Sequence, residues 1–161
     1  MAKEKEVKTN AMRILDKQKV SYRVNTYECE EFIDGIHIAD KLGQPYEQSF
    51  KTLVAQGKSK AYYVFVLPVD KEIDFKKAAK VVGEKSISLV PVKDIQGLTG
   101  YIRGGCTSIG MKKAFPTYIQ ESAKNQETII ISGGKMGLQL ELSPEDLVRV
   151  VKGEFSDFIL M

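Results

Sequence analysis

The residues best suited to chemistry lie in Gly100-Tyr-Ile-Arg-Gly-Gly-Cys-Thr-Ser-Ile-Gly-Met-Lys-Lys113, where four glycines are interleaved with Thr107, Ser108 and the cations Arg103, Lys112 and Lys113. Glycine lets a backbone turn sharply and brings N–H groups close to a ligand. Cations on either side hold an anion against such groups. A second glycine turn with a lysine, Ser132-Gly-Gly-Lys-Met-Gly137, follows, and Lys51 precedes both in Ser49-Phe50-Lys51-Thr52. In an alternating strand Lys51 shares a face with Ser49 and Leu53, opposite Phe50, Thr52 and Val54. It then either snorkels at a sheet edge or points into a cleft, where a fixed cation binds a phosphate or ester oxygen. The glycine segment lacks the order GxxxxGK[ST] and is not a GxGxxG following a strand, which argues against nucleoside triphosphate and NAD sites.

Other chemistries are poorly supplied. The chain has one histidine, His37, and two cysteines, Cys29 and Cys106, with no zinc-ligand spacing among them. His37 reads as a residue of a helix face or the surface, which removes most Ser-His and Cys-His mechanisms. Cys106 follows two glycines. It is either a thiol with a pKa depressed by Arg103 or a small loop residue packed inward, and no proton-transfer partner lies near it in sequence.

The elements that must position these residues alternate along the chain. Val7, Ala11, Ile14 and Leu15 predict an amphipathic helix over 5–18, Tyr22–Tyr27 a strand, and Gly35–Leu42 a helix stopped by Gly43. Phe50–Ala55 and Tyr62–Leu67 flank the turn Gln56–Lys60 and predict a hairpin, its second arm apolar throughout and so central. Asp74 caps a helix to Val82, with Gly83 at its end. Ser86–Leu89 reads as a strand and Val92–Gln96 as one helical turn. Thr117–Ile119 and Thr128–Ile131 read as strands, and Leu138, Leu140 and Leu142 alternate as a half-buried one. Ser143-Pro144-Glu145-Asp146 opens a last helix that ends near Gly153. The pattern predicts an α/β fold with a mixed, largely antiparallel sheet, not a regular βαβ nucleotide fold.

Composition sets the outer limits. The 161 residues, 43% of them hydrophobic, suit one domain over 1–161 with an adequate core. The net charge of +3 allows a local basic face but does not demand nucleic acid. No apolar run reaches a membrane span, the charged Met1–Val7 stretch lacks a signal-peptide core, and the sparse cysteines fit a reducing compartment. The expected location is cytoplasmic, with no membrane partner.

The ordered set Phe50–Val54, Gly100–Lys113, Phe115-Pro116-Thr117 and Ser132–Gly137 resembles the YbaK/EbsC family of aminoacyl-tRNA deacylases. These are free-standing relatives of the editing domain inserted in bacterial prolyl-tRNA synthetases. The likeness runs from about Leu15 to Ile159, takes in Val24–Tyr27 and Asp40–Gly43, and is greatest to the YbaK branch, which clears cysteine mischarged onto tRNA-Pro. The resemblance implies a single compact α/β domain on a mixed, barrel-like sheet with flanking helices and a cleft. It makes Lys51 the essential lysine, with Gly104 and Gly105 supplying backbone N–H groups. The binding set it implies is Tyr27, Arg103, Thr107, Lys112, Ser132, Gly134 and Gln139. Two positions depart from the family pattern. Thr107-Ser108 stands where Ser-Pro is common, which predicts a less rigid loop. Gln139 stands where aspartate is frequent, which removes a charge. The family's pocket phenylalanine has Phe32 as its candidate here.

The implied reaction needs no metal and no cofactor. In that branch the cysteinyl thiol attacks its own ester carbonyl and leaves as a thiolactone, so the protein positions groups and stabilises charge. The implied partners are the acceptor end of mischarged tRNA-Pro and prolyl-tRNA synthetase, since phosphate contacts position a tRNA without reading it. Two alternatives stay open: an Ala-tRNA(Pro) deacylase with a lysine-positioned water, and a non-catalytic module binding acceptor ends.

Overall fold

Strand β3 (Tyr62–Pro68) is apolar on both faces because both faces are covered. The computed structural model describes residues 8–161. In it Val64 and Val66 point into one hydrophobic cluster with Phe50, Val54 and Leu140, while Phe65 and Leu67 point into another with Ala78, Ala79 and Phe158. Alternate residues of a strand face opposite sides, so one strand serves two cores. On one edge β3 pairs antiparallel with β2 (Phe50–Gly57), and on the other it runs parallel to β5 (Thr117–Gln120). The outer strands are β4 (Ile87–Leu89), antiparallel to β2, and β8 (Glu154–Ser156), parallel to β5.

A smaller sheet has the order β1 (Tyr22–Thr26), β7 (Leu138–Leu142), β6 (Ile129–Ser132), all antiparallel. It meets the larger sheet where Ser49 bridges Ile130 and the Ile130 N–H donates to Gln48 O at 2.9 Å. The two sheets are open and joined at a bridge, which is the form taken here by the barrel-like sheet that the resemblance implies.

Helices α1 (Asn10–Lys17) and α5 (Pro144–Val151) close the first cluster with Leu15 and Leu147, and α3 (Phe75–Val82) closes the second. α4 (Val92–Thr99) lays Ile95 and Leu98 on the first cluster, and α2 (Gly35–Leu42) buries Ala39. Capping explains the boundaries. Asp34, Asp74 and Ser143 accept N–H bonds at their helix starts, while Gly43, Gly83 and Gly100 turn left-handed at the ends.

The mixed α/β architecture is the one the sequence predicts, and α2 and α3 run over the predicted residues. Differences have local causes. The first helix starts at Asn10, because Thr9 caps it through the Met12 N–H. Val7 and the Met1–Val7 stretch lie outside the described residues. α4 is longer than one turn and ends only at Gly100. β7 is not half-buried, since Gln139 is covered along with its leucines. The 3₁₀ turn Glu121–Asn125 and β8 carry no clear period in sequence. Among the described residues no helix is long and apolar enough to cross a membrane.

Candidate active site

A cleft of about 390 Å³ opens where the larger sheet leaves an edge unpaired. Every residue from Ser49 to Val54 lines it, which one face of a strand cannot do, so the cleft meets β2 edge-on. The cause lies in the pairing. β6 is bridged to this stretch only at Ser49, just before β2, and β4 joins only from Val54, whose carbonyl accepts the Val90 N–H at 2.9 Å. The Val64 N–H, opposite Val54, turns away to Pro116 O, which fixes the main chain of Phe50, Thr52 and Val54 on the side away from β3. Thr52 therefore presents its N–H and C=O to the cleft.

Lys51 takes the cleft position and not the sheet-edge one. It is half-buried, and its Nζ donates to Val69 O at 3.3 Å. Burial holds its pKa below the usual lysine value, against the opposing pull of Glu72, Asp70 and Asp34. Such an ammonium is poorly solvated and ready to be stabilised by a ligand's oxygen.

The two glycine segments meet beside it. Gly104 lines the cleft at φ +88°, a conformation that disfavours side chains. A Cβ there would stand 3.0 Å from Met136 Cγ and 3.1 Å from Phe32 Cδ1. Its N–H has no hydrogen-bond partner among the described residues. Gly105 behaves differently. It does not line the cleft, its N–H donates to Ile102 O at 3.0 Å, and a Cβ would come within 2.7 Å of Lys135 Cα. The expected pair of donors is thus reduced to Gly104, with Gly105 serving the contact between the loops.

Tyr27, Arg103, Ser132 and Gln139 line the cleft as expected. Burial raises the Tyr27 phenol, and the Tyr27 main-chain N–H donates to Gly137 O. The Arg103 guanidinium lies 3.9 Å over the Phe32 ring at the mouth, so Phe32 does occupy the pocket wall. Ser132 Oγ accepts from the Gly134 N–H at 3.5 Å. Gln139 exchanges amide hydrogen bonds with Gln44 at 2.8 and 3.2 Å, a pairing that fills the place of a carboxylate with a satisfied neutral group.

Three expected binding residues lie elsewhere. Thr107 is fully buried and its Oγ1 accepts the Ile109 N–H, so it braces the loop. Gly134, at φ +107°, makes the turn against Tyr101 and Thr9. Lys112 is exposed outside the cleft. Sequence reasoning missed Asp34 and Gln44. Asp34 had a signal, the Asp-Gly helix start; Gln44 had none.

Cys106 lines the cleft, but burial pushes its thiol up to about 11, against a smaller lowering by Thr99, the reverse of an activated nucleophile. His37 is exposed and pairs with Asp34. Among the described residues no group of three or more His, Cys, Asp or Glu is placed to hold a metal.

Known proteins resemble this chain in sequence and fold. The Aminoacyl-tRNA editing domain family matches residues 36–150. A protein of Enterococcus faecalis, named as a proposed Cys-tRNA(Pro)/Cys-tRNA(Cys) deacylase, EbsC, is 43% identical over 98% of this chain and 97% of its own length. The crystal structure of hypothetical protein APE2540 superposes with a TM-score of 0.86 at 19% identity, covering 94% of this chain and all 100% of its own. That of a proposed trans-editing enzyme for prolyl-tRNA synthetase does so at 0.80 and 19% identity, covering 97% and 100%. At such identities the structures speak for the fold alone. The match over 36–150, which takes in Lys51 and both glycine segments, and the full-length relative place this chain in the aminoacyl-tRNA editing domain family.

Proposed function

We propose that this protein deacylates mischarged tRNA, with Cys-tRNA(Pro) as its substrate and residues 1–161 acting as one deacylase domain in the cytoplasm. The observation that carries this reading is a cleft with a partly desolvated lysine and, among the described residues, an unpaired Gly104 N–H and one lining thiol, which burial holds neutral. Such a site is equipped to stabilise an ester's developing charge and is poor in nucleophiles.

The substrate thiol fills that gap. Its sulfur attacks the ester carbonyl carbon, the carbonyl–ribose C–O bond breaks, and the thiol proton passes to the departing ribose oxygen. The thiolactone released is opened by water to free cysteine. Gly104 N–H holds the carbonyl oxygen as it becomes an oxyanion, and Lys51 polarises the ester or anchors the terminal phosphate. Tyr27 and Ser132 flank the aminoacyl group, Arg103 meets the acceptor end at the mouth, and Lys112 offers a phosphate contact beyond it. Selection of tRNA-Pro is assigned to a complex with prolyl-tRNA synthetase, since these contacts read no base edges.

Deacylation of Cys-, Ala- and Ser-charged tRNA-Pro, with and without chelator, tests the reading. Cysteinyl turnover should be fastest, seryl turnover much slower, and chelator without effect. Cys29→Ala with Cys106→Ala should keep most activity. An alanyl preference would favour the water mechanism, acyl transfer onto Cys106 would put the nucleophile on the protein, and binding without turnover would leave a recognition module.

A further inference from the structure

An aminoacyl ester carries a cationic amine one carbon from its carbonyl, and a cleft that binds it must meet that charge. We propose that Asp34 receives the α-ammonium of the aminoacyl group, beside the carbonyl held by Lys51 and Gly104; the inference rests on the deacylase reading of the site.

Among the described residues Asp34 is the only carboxylate lining the cleft. The polar alternative, Gln139, is neutral and has its amide engaged with Gln44. Asp34 is also fixed in place. Both of its side-chain hydrogen bonds, with the His37 N–H at 2.9 Å and His37 Nδ1 at 2.7 Å, fall on Oδ1, which leaves Oδ2 to a ligand. The same His37 contacts hold its carboxyl below the usual carboxylate range. The next residue, Gly35, is pressed so close to Val69 that an added Cβ would lie 2.5 Å from Val69 Cγ1, and Val69 O is the acceptor of Lys51 Nζ. The chain thus sets Asp34 and Lys51 on one wall, near enough for the carboxylate to act on the ammonium. Asp70 and Glu72 also act on Lys51, but neither lines the cleft. A cation beside an anion matches the carbonyl and amine of one aminoacyl group. The Asp34 side chain is 53% exposed, so water weakens the contact and the effect is moderate.

Asp34→Asn and Asp34→Ser both keep a helix-capping oxygen and remove the charge. With Cys-tRNA(Pro), each should lower kcat/KM by on the order of tenfold. With 3-mercaptopropionyl-tRNA(Pro), which keeps the thiol and lacks the amine, wild type should lose a similar factor and the variants nothing further. An equal loss by the variants on both substrates, or none on Cys-tRNA(Pro), would overturn the inference. Affinity for 3′-cysteinylamino-3′-deoxyadenosine against its desamino counterpart gives the same contrast without turnover. An inactive wild type that still prefers the amine through Asp34 would sink only the deacylase reading, and a wild type indifferent to the amine would sink the Asp34 subsite.

Discussion

The two halves of β2 have the same partner on one edge and opposite fates on the other. From Phe50 to Leu53 the second edge is open, and the main chain of Thr52 and the side chain of Lys51 face a cleft. From Ala55 to Gly57 the edge is closed by β4, and the turn beyond is tied down by Glu84, which accepts from the Ser59 N–H at 3.1 Å, the Ser59 hydroxyl and the Tyr63 hydroxyl at 2.7 Å. An unpaired edge invites association with other strands, and here the cleft walls keep it narrow. One half of the strand is free to meet a ligand because the other half carries the sheet.

Substitution in the open half should have the largest effect. Lys51→Ala is expected to cut turnover of Cys-tRNA(Pro) by at least about a hundredfold, the scale of a lost electrostatic stabiliser. Its Tm should stay near wild type, because burial of the ammonium works against the fold. A folded, fully active Lys51→Ala protein would remove the functional contrast between the halves.

A smaller effect concerns pH. Burial makes Lys51 lose its proton at lower pH than a lysine at the ordinary 10.5, so the ammonium needed for turnover is lost earlier on the alkaline side than that of an exposed lysine. The falling limb of the pH–rate profile, corrected for spontaneous ester hydrolysis, should therefore lie below 10.5. Asp34→Asn removes a carboxylate that supports the charge and should move the limb lower still. A limb that Lys51→Arg leaves in place would belong to another group.

The closed half should answer in stability alone. Glu84→Ala is expected to lower Tm by a few degrees and leave kcat/KM unchanged. The Glu84 hydrogen bond pushes the Tyr63 phenol up to about 12, so tyrosine titration should show one phenol falling back towards about 10. A drop in deacylation with that variant would mean that the two halves are coupled.

Much of this was legible in the chain. Capping residues and glycine stops predicted α2 and α3 because they act within a single turn. Alternation predicted the β2–β3 hairpin, and uninterrupted apolar residues predicted that β3 is central. Lys51, Gly104, Arg103, Tyr27, Ser132 and Gln139 are site candidates by sequence, and all six line the cleft. Two of the misses share a cause. Gly105 and Thr107 sit in the same segment as Gly104 and contain the same chemistry, but their N–H and hydroxyl groups are engaged inside the loop. The spacing of residue types does not say which donor is already used.

Sequence alone determined the elements, the family and the kinds of group in the site, because these depend on short-range periodicity and on residue type. Tertiary structure decided which groups are available. It set Lys51 in the cleft through the gap between β6 and β4, raised the Cys106 thiol by burial, closed Gln139 on Gln44, and brought Asp34 to the wall that holds Lys51. Each of these depends on neighbours distant in the chain, where desolvation and hydrogen-bond competition are fixed only by the packed fold.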